Sequence, residues 1–208
     1  MQKILVIGTG GLAREFAGFF AAQIDIVGFS SAARSEFDEF GLPGQFWDET
    51  VTPEQAGTDL CAIAIGTPAT KKLLGDRLAA RGFRFPNLVH SSVVGMPKWT
   101  EASEGVIISP LCVVASDVTF GRHVYFNFMV GVGHDSILGD HVQVNPGAQL
   151  GGYSTVGSNV LIGSNASLRQ GLTLGDNVTV GSGTVVVKDI ADDLTMIGNP
   201  ARVLAPRS

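Results

Sequence analysis

From Ile108 onward an apolar side chain returns at every sixth residue: Ile108, Val114, Phe120, Phe126, Val132, Leu138, Val144, Leu150, Val156, Ile162, Leu168, Leu174, Val180 and Val186. A helix would repeat its apolar face every three to four residues and a lone strand every two, so neither fits. In a chain that is 45% hydrophobic, so long a run in one frame has a chance probability on the order of 10⁻⁵, which makes the repeat real. The residue two before most of these positions is also small or apolar, as at Cys112, Val118, Val124, Val130, Val142, Ala148, Val160, Ala166, Leu172 and Val178. The residue after is glycine at 121, 133, 139, 151, 157, 163, 175 and 181, where a small residue is expected to permit a sharp turn. Three hexads close one turn of a parallel β-helix, so residues 18 apart are expected to stack roughly 4.8 Å above each other. The run amounts to a little under five coils and is followed by a turn-rich cap at 197–202.

The first half has a different pattern. Residues 3–7 (KILVI) predict a strand, 8–11 a turn, 12–22 a helix and 25–29 (DIVGF) a second strand. Residues 60–65 (LCAIAI) predict a third strand ending in Gly66-Thr67-Pro68, and 69–81 an amphipathic helix. Alternating strands and helices imply a small parallel α/β sheet. Residues 30–59 carry no clear period and are expected as a loop-heavy connection. The expected division is therefore an α/β unit over 1–89, an irregular bridging coil over 90–107 containing Pro97 and Trp99, and a β-helix with its cap over 108–208.

Composition removes several function classes. Charged residues make up 16% and the net charge is −5, so no basic stripe invites nucleic acid or an anionic membrane. The apolar run at 4–7 is broken by Gly8 and followed by Arg14 and Glu15, too short for a signal core or a span, and a cytoplasmic protein is expected. Cys61 and Cys112 lie in apolar stretches and are expected as reduced core thiols. His123 and His141 are expected at the surface on coil corners, and His123, His134 and His141 are read as lying in unmatched columns, so no metal site is expected.

Gly8-Thr9-Gly10-Gly11, with Ala13 closing a relaxed G-x-G-x-x-A, follows a strand and opens a helix, where backbone N–H groups attract phosphate. NAD would require an acid near the end of the second strand to take the ribose hydroxyls. Phe29-Ser30-Ser31 stands there instead, so NAD is not expected. Gly66, Thr67 and Pro68 form a second candidate wall at the carboxyl edge of the sheet, where α/β ligands bind.

Several stretches together resemble the hexapeptide-repeat acyltransferases, and more narrowly the bacterial sugar acetyltransferases of the PglD/NeuD type: IGTGGLARE at 7–15, AIGTPATKK at 64–72, NLVHSS at 87–92, GHDSILGD at 133–140 and IGNPARV at 197–203. The resemblance implies a Rossmann-like N-terminal domain joined to a left-handed β-helix, acetyl-CoA as donor, and a homotrimer with active sites between neighbouring β-helices. It implies that His134 takes the proton of the acceptor, a task suited to an imidazole, with Asp135 orienting it. Stacking arithmetic puts Ser116 and Gly152 on the coils beside His134. The Gly152 N–H is then a candidate for the developing oxyanion. No serine or cysteine nucleophile with a matched base is apparent, which favours direct attack on the thioester.

By the same resemblance Asn127, which shares a column with Asn145, lies near the acceptor. The glycine turn and Ser30 receive the nucleotide of a nucleotide-linked sugar, although relatives often carry acids where Ser30 and Ser31 stand. Lys188 and Arg202 meet the donor's phosphates, and Asn199, Pro200 and Ala201 shape the loop closing over coenzyme A. Gln143 stands nine residues after His134, where some relatives carry a second histidine; an amide there hydrogen-bonds near the acetyl group but does not titrate. The expected activity is N-acetylation of a nucleotide-linked amino sugar for a bacterial surface glycan. O-acetylation of a sialic acid-type sugar and a non-catalytic trimeric scaffold stand as alternatives.

Overall fold

The computed structural model describes residues 1–95 and 97–204. β1 (Gln2–Ile7), α1 (Gly11–Phe20), β2 (Ile24–Ser30), α2 (Ser35–Glu39), β3 (Gln45–Trp47), α3 (Pro53–Ala56), β4 (Cys61–Ile63) and α4 (Pro68–Ala80) build the first unit. Its strands are all parallel in the order β3-β2-β1-β4. Alternation along β1 sorts the core: Ile4 and Val6 pack with Ala13, Phe16 and Phe20 of α1, while Leu5 and Ile7 pack with Cys61, Ile63 and Leu78. Among the described residues no helix is long and apolar enough to cross a membrane.

Residues 30–59 hold more order than their pattern reveals. β3 pairs with β2 over three residues, too few to display a period. α3 opens with a reciprocal cap: the Gln55 N–H donates to the Thr52 hydroxyl and the Thr52 N–H to the Gln55 carboxamide oxygen.

The second unit is a three-faced prism of two-residue strands. One face stacks Leu88–Val89, Ile107–Ile108, Tyr125–Phe126, Gln143–Val144, Leu161–Ile162, Thr179–Val180 and Thr195–Ile197, and ends in an antiparallel pairing with Arg202–Val203. The second runs from Val94–Gly95 through Gly131–Val132 to Val185–Val186, and the third from Thr119–Phe120 to Thr173–Leu174. The expected 18-residue register is realised, with Tyr125 opposite Gln143 and Gly131 opposite Gln149. The hexad residues and those two before them fill the interior. Both cysteines are free and buried, and burial pushes the Cys112 thiol up to about 11.

Further expectations change. The stretch 90–107 is the first coil of the prism: Leu88 pairs with Ile107, Val94 with Val113, and Lys98 bridges to Thr119. The spacing there is 19 to 21 residues, so the hexad frame conceals it. The repeat glycines, expected to serve sharp turns, do not take the left-handed conformation. That falls two residues later, on Asp135, His141, Tyr153, Asn159 and their equivalents. The glycines are needed because coils touch: a Cβ on Gly163 would lie 2.7 Å from the carbonyl carbon of Gly181.

The two units share a buried seam. Ile107 and Tyr125 of the first prism face join the α1 side of the sheet's core. His123 and His141, expected at the surface, are buried beneath α4, their rings stacked at 5.4 Å and 13°. Phe85 meets His123 edge-on at 4.6 Å. Burial, reinforced by the adjacent His141, pushes His123 down to about 3, and burial also lowers His141.

Candidate active site

His134 sits at the corner after Gly131–Val132, 47% exposed. Its Nδ1 lies 2.7 Å from Asp135 Oδ2. A carboxylate only accepts, so Nδ1 carries the hydrogen, which in the neutral ring leaves the lone pair on Nε2. The next coil frames the ring. A Cβ on Gly152 would stand 3.0 Å from Nε2 and 3.2 Å from Cδ2, so only glycine leaves the imidazole where it is. At the neighbouring corner, main-chain N–H groups are capped from the coil above: Arg122 by Asp140, Ser158 by Asp176, Asp176 by Asp192. At the His134 corner no such cap is present among the described residues, and the Gly152 N–H donates to no protein acceptor. An uncapped donor beside an imidazole lone pair can stabilise an oxyanion while a proton moves to Nε2.

The corner column continues through Gln170 to Lys188, which follows Val185–Val186 in the same register and is exposed. Lys188 thus stands three coils, roughly 14 Å, along the edge from His134. The cap loop folds onto the same face: the Val185 N–H donates to Gly198 O at 3.0 Å and the Ala201 N–H to Val185 O at 2.8 Å. Asn199, Pro200 and Arg202 are exposed around it.

Gln143 is elsewhere. It belongs to the face covered by α4, is 1% exposed, and accepts from Lys71 Nζ at 2.9 Å while donating to Asn145 Oδ1 at 3.2 Å. The expectation that it meets the acetyl group is corrected for this chain: both ends of its carboxamide are engaged in the seam, leaving no surface for a thioester. Asn127 lies on the same face, its Nδ2 donating to Glu15 Oε2 of α1 at 3.3 Å.

The α/β unit carries a cavity of about 300 Å³ at the carboxyl edge of its sheet, lined by Gly8, Ser30, Ser31, Ile65, Leu74 and Arg77 among others. Ser30 is buried and donates to Asp48 O at 2.9 Å, so its hydroxyl is committed to the fold. Thr9 donates to Glu36 Oε2 at 2.8 Å, and Gly10 precedes α1 as its N-cap beside the same carboxylate. Gly66 adjoins Leu12, and Thr67 and Pro68 begin α4 at a separate cleft shared with Asn159 and Asn177.

A family model described as bacterial transferase hexapeptide (six repeats) matches residues 153–188. No curated protein matches the chain. Among solved structures, the chain is similar to the acetyltransferase domain of PglB from Neisseria gonorrhoeae FA1090 in complex with acetyl coenzyme A, with 29% identity over 98% of this chain and 99% of that one and a TM-score of 0.82. It is also similar to a variant of perosamine N-acetyltransferase from Caulobacter crescentus in complex with CoA and GDP-perosamine, with 26% identity over 99% and 98% of the chains and a TM-score of 0.86. The chain is an acyltransferase, similar to the hexapeptide-repeat sugar acetyltransferases. Its architecture is that of the PglD/NeuD-type enzymes, a Rossmann-like domain followed by a left-handed parallel β-helix. WeeI from Acinetobacter baumannii AYE, at 24% identity over 98% of this chain and 100% of that one, shares this fold with a TM-score of 0.77.

Four residues of the acyltransferase escape sequence reasoning. Glu36 supplies, from α2, a carboxylate beside the glycine turn whose second strand ends in serines. Glu15 is part of the IGTGGLARE stretch, but only the packed domains bring it to Asn127. Tyr153 stands edge-on to His134 with ring centroids 4.9 Å apart. Lys71 is 1% exposed, and burial pushes its ammonium down to about 7. The available signal for Lys71 was its place on the buried α4 stripe with Pro68, Gly75 and Leu78.

Proposed function

We propose that the chain is an acetyl-CoA-dependent N-acetyltransferase acting on the amino group of a nucleotide-linked amino sugar, on the route to a surface glycan. The carrying observation is His134, with Nδ1 held by Asp135 and Nε2 packed against Gly152, whose N–H is uncapped among the described residues. The acceptor nitrogen attacks the thioester carbonyl, His134 Nε2 takes its proton, and the oxyanion rests on the Gly152 N–H. Collapse breaks the C–S bond, and the imidazolium returns the proton to the departing sulfur, giving the amide and free coenzyme A. Support for this substrate class comes from the CoA and GDP-perosamine complex of the Caulobacter relative. The α/β unit over 1–89 binds the nucleotide in the cavity at Gly8 and Ser31, and 108–208 performs the transfer. Lys188 and Arg202 meet the donor's phosphates, and Asn199, Pro200 and Ala201 close over it. His134 is half exposed at a prism edge, consistent with a groove completed by a second copy in a homotrimer.

The test is thiol release from acetyl-CoA with UDP-, GDP- and dTDP-linked 4-amino sugars and free sialic acid, comparing wild type with His134→Ala. Turnover on an amino sugar that falls about 10²- to 10⁴-fold in the variant supports the reading. Turnover on sialic acid alone moves it to O-acetylation, and no His134-dependent release overturns it.

A further inference from the structure

His134 has one neighbour that neither the β-helix nor burial accounts for. Tyr153 meets it with ring planes at 87° and centroids 4.9 Å apart. The position is the left-handed corner of its coil, at φ +56°, a conformation that bulky side chains avoid. The backbone alone meets the demands of that corner. The Tyr153 N–H donates to His134 O at 2.8 Å, just as Asp135 donates to Ser116 O and Gly171 to Gly152 O. Gly171, one coil on, fills the equivalent place with no side chain and also lies at positive φ. Tyr153 is moreover 56% exposed, so full burial in a core does not explain an aromatic there. Among the described residues its hydroxyl makes no hydrogen bond, and the ring's aromatic contact within the chain is with His134.

That contact has a use. A single hydrogen bond at Nδ1 fixes one point of a half-exposed imidazole and leaves the plane of the ring free to swing. An edge-to-face aromatic neighbour fixes the plane. We propose that Tyr153 is a positioning residue for acyl transfer, holding the His134 ring so that Nε2 stays against Gly152. The inference rests on His134 being the base. It assigns the role to the ring and not to the phenol.

Tyr153→Gly and Tyr153→Phe in the full chain test it. With the acceptor that the wild type turns over, Tyr153→Gly is expected to lower kcat about tenfold, the size an edge-to-face pair allows, with KM for acetyl-CoA within about twofold. Its melting temperature is expected to hold or rise, because glycine adopts positive φ without strain. Tyr153→Phe is expected to stay within about twofold of wild type in kcat. Wild-type kcat in Tyr153→Gly, or an equal loss in Tyr153→Phe, overturns the proposal. A crystal structure of Tyr153→Gly decides the same point without turnover: a rotated or doubly placed His134 ring supports positioning, and an unmoved ring overturns it. Absence of His134-dependent turnover in the wild type would sink the acetyltransferase reading separately, leaving the ring geometry to be judged on its own.

Discussion

Gly75 of α4 and His123 of the prism approach so closely that a Cβ on the glycine would stand 3.0 Å from the imidazole Nε2. Glycine in a helix interior ordinarily costs about 1 kcal/mol against alanine. Here the substitution has the opposite sign, because His123 is wedged between Phe85 and Gly105 and has no room to retreat. Gly75→Ala is expected to lower the melting temperature by a few degrees, the effect of about 1 to 2 kcal/mol of overpacking. A raised midpoint in a thermal melt would show that the seam yields.

The seam also sets a pH dependence. Burial holds the Lys71 ammonium down at about 7, whereas in the unfolded chain it titrates near 10.4. Between those values the unfolded chain binds the proton and the folded chain does not, so stability rises as pH rises through the window and is lost as pH falls toward 7. Urea midpoints from pH 7.5 to 9.5 should climb in the wild type and flatten in Lys71→Met. A slope that survives in Lys71→Met would belong to another group.

The same sign governs His123 lower on the scale. Its proton is excluded until about pH 3 in the folded chain, so stability falls as pH drops from about 6.5 toward 3.

Gly152→Ala would put its methyl 3.0 Å from His134 Nε2 and from His134 O. The ring must move and the N–H is crowded, so kcat is expected to fall about 10²-fold. KM for the acceptor should change little, and circular dichroism should remain that of the wild type. Retention of full kcat would remove the Gly152 N–H from the oxyanion role.

Lys188 is in register with His134 but three coils away. Lys188→Ala is expected to raise KM for acetyl-CoA about fivefold with kcat unchanged, the signature of an exposed charge contact that serves binding alone. A fall in kcat with constant KM would contradict the assignment to the donor's phosphates.

What could be read from the chain follows from what each pattern encodes. The six-residue period states which side chains face the interior, so the prism and the stacking of Gly152 on His134 are legible in it. It does not state what covers each outer face. His123 and His141 share a column by simple count, yet their burial depends on α4, a helix of the other unit. Gln143 likewise carries the right spacing from His134 but lies under that helix, bound to Lys71. The first coil escaped because its 19- to 21-residue spacing departs from the hexad frame. The repeat glycines were visible as a pattern, while their cause, contact between coils, exists only once the coils are stacked.

The 18-residue coil makes the prism a graduated rod. One residue inserted within a strand turns the following side chains inside out, so length changes fall at the corners, as in the first coil with its 19- to 21-residue spacing, or come as whole coils. Adding one between Gly152 and Lys188 would leave His134, Asp135 and Gly152 untouched and carry the lysine one graduation, roughly 4.8 Å, further along the edge. The distance from the His134 corner to Lys188 is therefore counted in whole coils, and it can be reset without disturbing the corner at the other end.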